Sequence, residues 1–175
     1  MPASDQGVSS DRYAVIPRVL ILLIRDNQVL LLKGSADKRL WANRFNGIGG
    51  HIEPGEDPLS AAYRELFEET GLYRDNTTKA SEKLTLWLCG VLLVNTGKNP
   101  GVCIFIFSGE TGSESMRSSP EGTLHWVNLD QVESLPIVED LPVILNRIKS
   151  MKQGDEPFFA CSSYDVGKIT VSFIK

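Results

Sequence analysis

A chain of 175 residues, 42% hydrophobic and 23% charged, has the composition of one ordinary globular domain, because that length buries about two thirds of the unfolded surface around a single core. Its 18 basic and 22 acidic side chains leave a formal net charge of −4, which gives no electrostatic reason to expect a nucleic-acid polymer as partner. Cys89, Cys103 and Cys161 are odd in number and widely spaced, which excludes a readable disulfide framework or CxxC metal site and leaves them as reduced core residues.

Residues 1–11 are polar, with no apolar run behind a basic start, so no secretory signal is visible. We read 1–16 as a disordered tail and 17–175 as a single domain, with structure starting near Pro17. Residues 18–24 form an apolar run too short to span a bilayer, so a cytoplasmic location without a membrane partner is the expectation. The run breaks at Arg25-Asp26-Asn27 and resumes over 28–32, the pattern of two antiparallel strands joined by a turn. A polar loop around 34–38 leads to 41–50, which ends in Asn46-Gly47-Ile48-Gly49-Gly50.

Residues 57–70 carry the clearest helix punctuation: Asp57 as cap, Pro58 in the first turn and Gly71 at the stop. After a turn-rich stretch over 74–81, residues 84–94 and 102–107 read as buried strands of a hairpin. Residues 108–120, crowded with Ser, Gly and Glu, read as a surface loop. A short strand over 123–128 follows, then a helix over 141–151, then a closing hairpin of 158–161 and 168–174. Neither an internal repeat nor a coiled-coil heptad is present.

The chemistry concentrates in Gly50-His51-Ile52-Glu53-Pro54-Gly55-Glu56 and, seven residues on, Arg64-Glu65-Leu66-Phe67-Glu68-Glu69-Thr70-Gly71-Leu72. With about 100° of rotation per helical residue, Glu65, Glu68 and Glu69 share one narrow face. Leu59, Ala62, Tyr63, Leu66 and Phe67 form an apolar stripe on the opposite arc that would bury the helix against a sheet. Three like charges at this spacing repel, and a hard divalent cation turns the repulsion into binding. Mg²⁺ is suited to carboxylates plus phosphates, and phosphoanhydride cleavage needs charge neutralisation, positioning and an activated water. Three glutamates alone would more often be a solvated stripe; the full pattern of fixed residues has a chance probability on the order of one in ten million.

That segment resembles, at every position, the Nudix box G-x5-E-x7-R-E-U-x-E-E-x-G-U, with U apolar. The resemblance implies an α/β Nudix fold, an α/β/α sandwich with a central mixed sheet. It also implies a metal-dependent hydrolase, using Mg²⁺ with Mn²⁺ as a substitute. By the same resemblance Gly50 offers a backbone carbonyl to the metal, and Glu65, Glu68 and Glu69 ligate it or act on the attacking water. Arg64 and Glu56 pair to orient loop and helix. Glu53 lies in the variable part of the box and reads as a surface residue; His51 reads equally as a phosphate contact or a solvent-facing loop residue; His125 reads as structural.

The flanks are similar to the MutT-like branch, which acts on oxidised purine nucleoside triphosphates such as 8-oxo-dGTP. The lead-in Phe45-Asn46-Gly47-Ile48-Gly49-Gly50 resembles the segment in which Asn recognises the base, and Asn46 can both donate and accept. Phe45 stands where eukaryotic-type relatives have a pocket Trp, and Ile137 where they have a stacking Trp. Glu121, five residues before Trp126, takes the position of a downstream metal-binding Glu, with Glu110 and Glu114 in the same loop region. Pro136-Ile137-Val138-Glu139-Asp140-Leu141-Pro142 resembles the base-recognition segment, making Glu139 and Asp140 candidates; Asp140 could equally cap the following helix. Lys33 matches a basic position that reaches substrate, or is an exposed strand-end lysine.

A small nucleotide is therefore the expected partner, cleaved to nucleoside monophosphate and pyrophosphate by a monomer or homodimer. Markers of ADP-ribose and dinucleoside polyphosphate hydrolases, a Pro or Tyr beyond the box, are replaced by Trp87-Leu88-Cys89. A noncatalytic nucleotide sensor is the alternative of another class, and the intact carboxylates weigh against it.

Overall fold

A computed structural model describes residues 6, 7, 9, 11–38, 40–73, 84–112, 116–165 and 168–174. The turn-rich stretch expected over 74–81, Glu114 and the Val166-Gly167 turn lie outside the described residues. Among those described, the strands are β1 (Val15–Arg25), β2 (Gln28–Gly34), β3 (Phe45–Asn46), β4 (Thr85–Asn95), β5 (Gly101–Glu110), β6 (Gly122–Asn128), β7 (Phe158–Asp165) and β8 (Lys168–Ile174). The helices are α1 (Pro58–Thr70) and α2 (Leu141–Ile148), and a 3-10 turn spans Leu129–Ser134. No helix among the described residues is long and apolar enough to cross a membrane.

Structure begins two residues ahead of the expected Pro17, because Val15 and Ile16 pair with Gly101 and Val102. β1 runs parallel to β5 from there to Leu23↔Gly109, while β5 and β4 form the expected antiparallel pair. β4 runs parallel to β7, which turns back antiparallel into β8. The sheet order is therefore β3-β2-β1-β5-β4-β7-β8, with β6 on the other edge of β2. α2 stops at Ile148, three residues short of expectation.

β1 alternates between two cores. Val19, Ile21 and Leu23 pack with Ala61, Ala62 and Leu66 of α1 on one face. Leu22, with Leu20 beside it, packs with Ile144, Leu145 and Ile148 of α2 on the other. One helix thus covers each face of a mixed sheet, the α/β/α arrangement expected. Burying chains of branched aliphatics on both faces is what makes β1 nearly continuous in hydrophobicity.

α1 forms where its punctuation places it. Asp57 Oδ1 accepts the Leu59 and Ser60 amides at 2.9 and 3.0 Å, Pro58 needs no partner for an amide it lacks, and Gly71 ends the helix at φ 76°. The buried arc differs from the expected one. It runs through Ala61, Ala62, Glu65, Leu66, Glu69 and Thr70, whereas Leu59 and Phe67 are 37% and 44% exposed. The two alanines set the face that meets β1, so the apolar and acidic arcs adjoin rather than oppose one another. The cysteines are free, but only Cys89 is a core residue; Cys161 is exposed on β7.

Candidate active site

Residues 47–52 are fastened along β1. Ile21 and Ile48 exchange backbone hydrogen bonds at 2.7 and 3.2 Å, the Val19 amide donates to the Gly50 carbonyl at 3.0 Å, and the Ile52 amide to the Pro17 carbonyl at 3.1 Å. This loop is pressed against α1. A Cβ at Gly50 would overlap the Glu65 carboxylate, so any larger residue there would have to displace that carboxylate. On the same side the Gly49 amide donates to Glu69 Oε2 at 3.4 Å.

Arg64 holds the loop in register with the helix. Its Nε and Nη2 form a fork on Glu56 at 2.7 and 2.9 Å, and Nη2 also donates to the His51 carbonyl at 2.9 Å. Nη1 reaches Glu65 Oε1 at 2.9 Å and Glu68 Oε2 at 3.2 Å. Bidentate charge-assisted bonding of this kind fixes orientation as well as charge. The Arg64 bonds hold the Glu56 carboxyl down to about 2, and the carboxylates around Arg64 raise the guanidinium in turn. Glu56 further accepts the Glu53 amide at 3.0 Å.

The three helix glutamates are not equivalent. Glu65 and Glu69 are buried, whereas Glu68 is more than half exposed. Burial raises the Glu65 carboxyl, against the pull of Arg64. Burial raises Glu69 further, to about 8, reinforced by the charges of Glu121 and Glu65. Glu121 therefore stands close enough to act on both, although its carboxylate is paired with Lys38 Nζ at 2.7 Å. Among the described residues no three acidic, His or Cys side chains are already gathered as a metal cage. The donor set nonetheless fits a hard cation: two under-neutralised buried carboxylates, two exposed ones, and a Gly50 carbonyl with a lone pair beyond its bond to Val19.

On the α2 side of the same loop lies a cavity of about 370 Å³. Asn46, Gly49, Gly50, Glu139 and Asp140 line it together. Asn46 Oδ1 accepts the Gly47 amide at 2.9 Å, leaving its NH₂ group toward other partners. Asp140 occupies the N-cap position of α2 but makes no side-chain capping bond, its backbone being helical at φ −84°, ψ −19°. Burial, with Glu139 adding to it, raises the Asp140 carboxyl. Glu139 pairs loosely with Arg44 at 3.9 Å.

Phe45 and Lys33 do not line this cavity. The Phe45 ring is buried, meeting His125 edge-on with ring centroids 5.4 Å apart, and Lys33 Nζ lies 5.8 Å from its centre. Lys33 instead borders a separate depression with Gly34, Asn43, Ser118 and Thr123. The Phe45 backbone matters more: it accepts from the Val138 amide at 3.0 Å and donates to the Pro136 carbonyl at 2.8 Å, bringing Glu139 and Asp140 beside Asn46. Ile137 is packed against the α2-side core. His51 is exposed, its Nε2 facing the Arg18 guanidinium at 3.1–3.2 Å. Glu110 ends β5, away from the cavity lining.

Arg18, Trp41, Arg44 and Tyr164 also line the cavity, and Lys38 pairs with Glu121; sequence reasoning passed over all five. Basic and aromatic residues scattered through one strand, one loop and the final hairpin carry no spacing that could unite them before the sheet is assembled.

The model of the NUDIX domain matches residues 15–148 of this chain. An oxidized purine nucleoside triphosphate hydrolase from Mus musculus is 28% identical over 134 residues, covering 74% of this chain and 80% of that protein. An RNA pyrophosphohydrolase from Bartonella bacilliformis is 35% identical over 105 residues, 50% of this chain and 59% of that one. Among solved structures, a MutT protein from Bacillus halodurans superposes with a TM-score of 0.70 at 23% identity, covering 91% of this chain and 97% of that one. The NUDIX domain of Shewanella oneidensis NrtR, solved with ADP ribose, gives 0.64 at 14% identity, covering 85% and 97%. At these identities the structural likenesses establish the fold.

Proposed function

Because the chain belongs to the Nudix family, whose members hydrolyse phosphoanhydride bonds of nucleotide-derived substrates, we propose that it is a Mg²⁺-dependent pyrophosphohydrolase of purine nucleoside triphosphates, oxidised forms such as 8-oxo-dGTP included. One observation carries this reading: the Gly49-Gly50 loop touches the Glu65 and Glu69 carboxylates on one side and walls the Asn46–Asp140 cavity on the other. A nucleotide with its base in the cavity would present its phosphates to the carboxylates.

Glu65, Glu68, Glu69, Glu121 and the Gly50 carbonyl would hold the cation, for which Mn²⁺ can substitute. When bound, the ion supplies charge neutralisation at the phosphate oxygens and acidifies a coordinated water. The chain's own part is to orient and to accept a proton. Arg64 and Glu56 keep the loop and helix in one arrangement, and a carboxylate of the Glu65–Glu69 pair takes the proton of the attacking water. Water adds to phosphorus, the bridging P–O bond breaks, and nucleoside monophosphate and pyrophosphate leave.

Asn46 and Asp140 read the purine edge. The Asn46 amide donates to a carbonyl acceptor on the base, and Asp140 serves as acceptor, or as donor when protonated. The relative from Mus musculus supports the triphosphate reading. A panel of oxidised and normal purine triphosphates, ADP-ribose, a dinucleoside polyphosphate and a 5′-triphosphorylated oligonucleotide, incubated with Mg²⁺ and followed by chromatographic quantification of substrate lost and products formed, tests it. Highest kcat/KM on a purine triphosphate is expected; preference for another member would replace the substrate reading, and no turnover on any would favour a sensor.

A further inference from the structure

Trp41 combines two features that are hard to reconcile with a purely structural role. Its backbone adopts φ 58°, the left-handed region that bulky aromatic residues avoid, and Asn43 beside it adopts φ 59°. Among the described residues the turn is held by backbone bonds: the Arg44 amide donates to the Trp41 carbonyl at 3.0 Å, the Gly34 amide to the Arg44 carbonyl at 3.0 Å, and the Asn43 amide to the Gly34 carbonyl at 3.1 Å. The side chain receives little in return. It is 43% exposed and, among the described residues, makes no ring or cation contact. Trp126, by contrast, is packed into the α1-side core and carries Arg25 over its ring at 4.6 Å.

What the strained turn does achieve is to place the indole on the cavity lining that also holds Asn46, Asp140 and Tyr164. Residues held in such strained backbone conformations cluster at sites where they position a functional group. A part-exposed aromatic face beside hydrogen-bonding groups of the same cavity suits a flat, heteroaromatic ligand, since stacking supplies area and edge bonds supply choice.

We propose that Trp41 is the stacking platform for the substrate's base, a specificity-determining residue of this cavity. The inference rests on the reading that the base occupies the cavity. Every base has a π-face and the two-ring purine offers the larger one, so Trp41 adds affinity for purines whether oxidised or not. Asn46 and Asp140 then choose among them.

Product binding tests this without cation or turnover. GMP and the base-free ribose 5-phosphate are titrated by calorimetry into the wild-type protein, Trp41→Leu, Trp41→Phe and Asp140→Ala, with circular dichroism melts confirming that each variant folds. Trp41→Leu should weaken GMP binding by about tenfold, and Trp41→Phe should recover most of it. Ribose 5-phosphate should bind wild type and Trp41→Leu alike. In parallel, GMP should shield wild-type fluorescence from iodide, an effect absent in Trp41→Phe. Unchanged GMP affinity in Trp41→Leu, or an equal loss for ribose 5-phosphate, would overturn the proposal. If Asp140→Ala is also without effect on GMP, the cavity is not the base site and the underlying reading fails with it; if Asp140→Ala alone weakens GMP, only the stacking role is lost.

Discussion

Glu69 Oε2 accepts the Gly49 amide at 3.4 Å, a long bond and, among the described residues, the one hydrogen bond of the most deeply buried carboxylate of α1. Burial, then Glu121 and Glu65, raise its carboxyl from 4.5 to about 8. Between those values the folded protein keeps a proton that the unfolded chain has released. Stability of the cation-free protein should therefore fall as pH rises from about 4.5 to about 8 and level off above, a slope worth on the order of a few kcal/mol. Glu69→Gln should flatten it. Thermal melts in chelator at several pH values check this, and a slope undiminished by the substitution would contradict the assignment.

Removing either buried charge should abolish chemistry rather than folding. Glu65→Gln and Glu69→Gln should lower kcat by about 10²–10⁴-fold at saturating Mg²⁺, the range lost with a general base or a principal charge-stabilising group. Near-normal rates with an unchanged circular dichroism spectrum would remove both from the mechanism.

Arg64→Lys should keep the charge and lose the fork on Glu56 together with the bond to the His51 carbonyl. Because Arg64 bonds the loop and is not part of the cavity lining, kcat should fall by about 10–100-fold with KM changed by less than about threefold. A KM effect alone, with kcat preserved, would instead make Arg64 a substrate contact.

Asp140 separates recognition from capping. Since it makes no cap bond, Asp140→Ala should shift the melting temperature by no more than about 2 °C. It should lower kcat/KM for the preferred purine by about 10–100-fold, leaving the cavity's donors and acceptors unmatched. Glu139→Ala, which frees only an exposed and loose pair with Arg44, should have a smaller effect. Equal losses across all nucleotides for Asp140→Ala, or marked destabilisation, would count against base recognition.

What was legible in the sequence was local. Asp57, Pro58 and Gly71 act within a few residues of one another, so the limits of α1 and the grouping of its carboxylates follow from spacing alone. The two-residue strand β3 escaped notice because it has no propensity signal and exists only through its pairing with Lys33 and Leu32. The parallel pairs β1–β5 and β4–β7 join residues more than sixty apart, beyond the reach of turn chemistry. For the same reason the cavity could be foreseen at Asn46 and Asp140, through a family pattern, but not at Arg18, Trp41 or Tyr164. Phe45 illustrates the converse: its sequence position is that of a pocket residue, yet its ring turns toward His125.

The alternation of β1 has a practical consequence for anyone mutating it. Odd-numbered side chains, 19, 21 and 23, pack beneath the helix that carries the acids, while even-numbered neighbours, 20 and 22, pack on the α2 side. Trimming 21 or 23 should therefore disturb the seat of α1, and trimming 22 the seat of α2, whereas 19 and 20 also border the cavity and should be felt there as well.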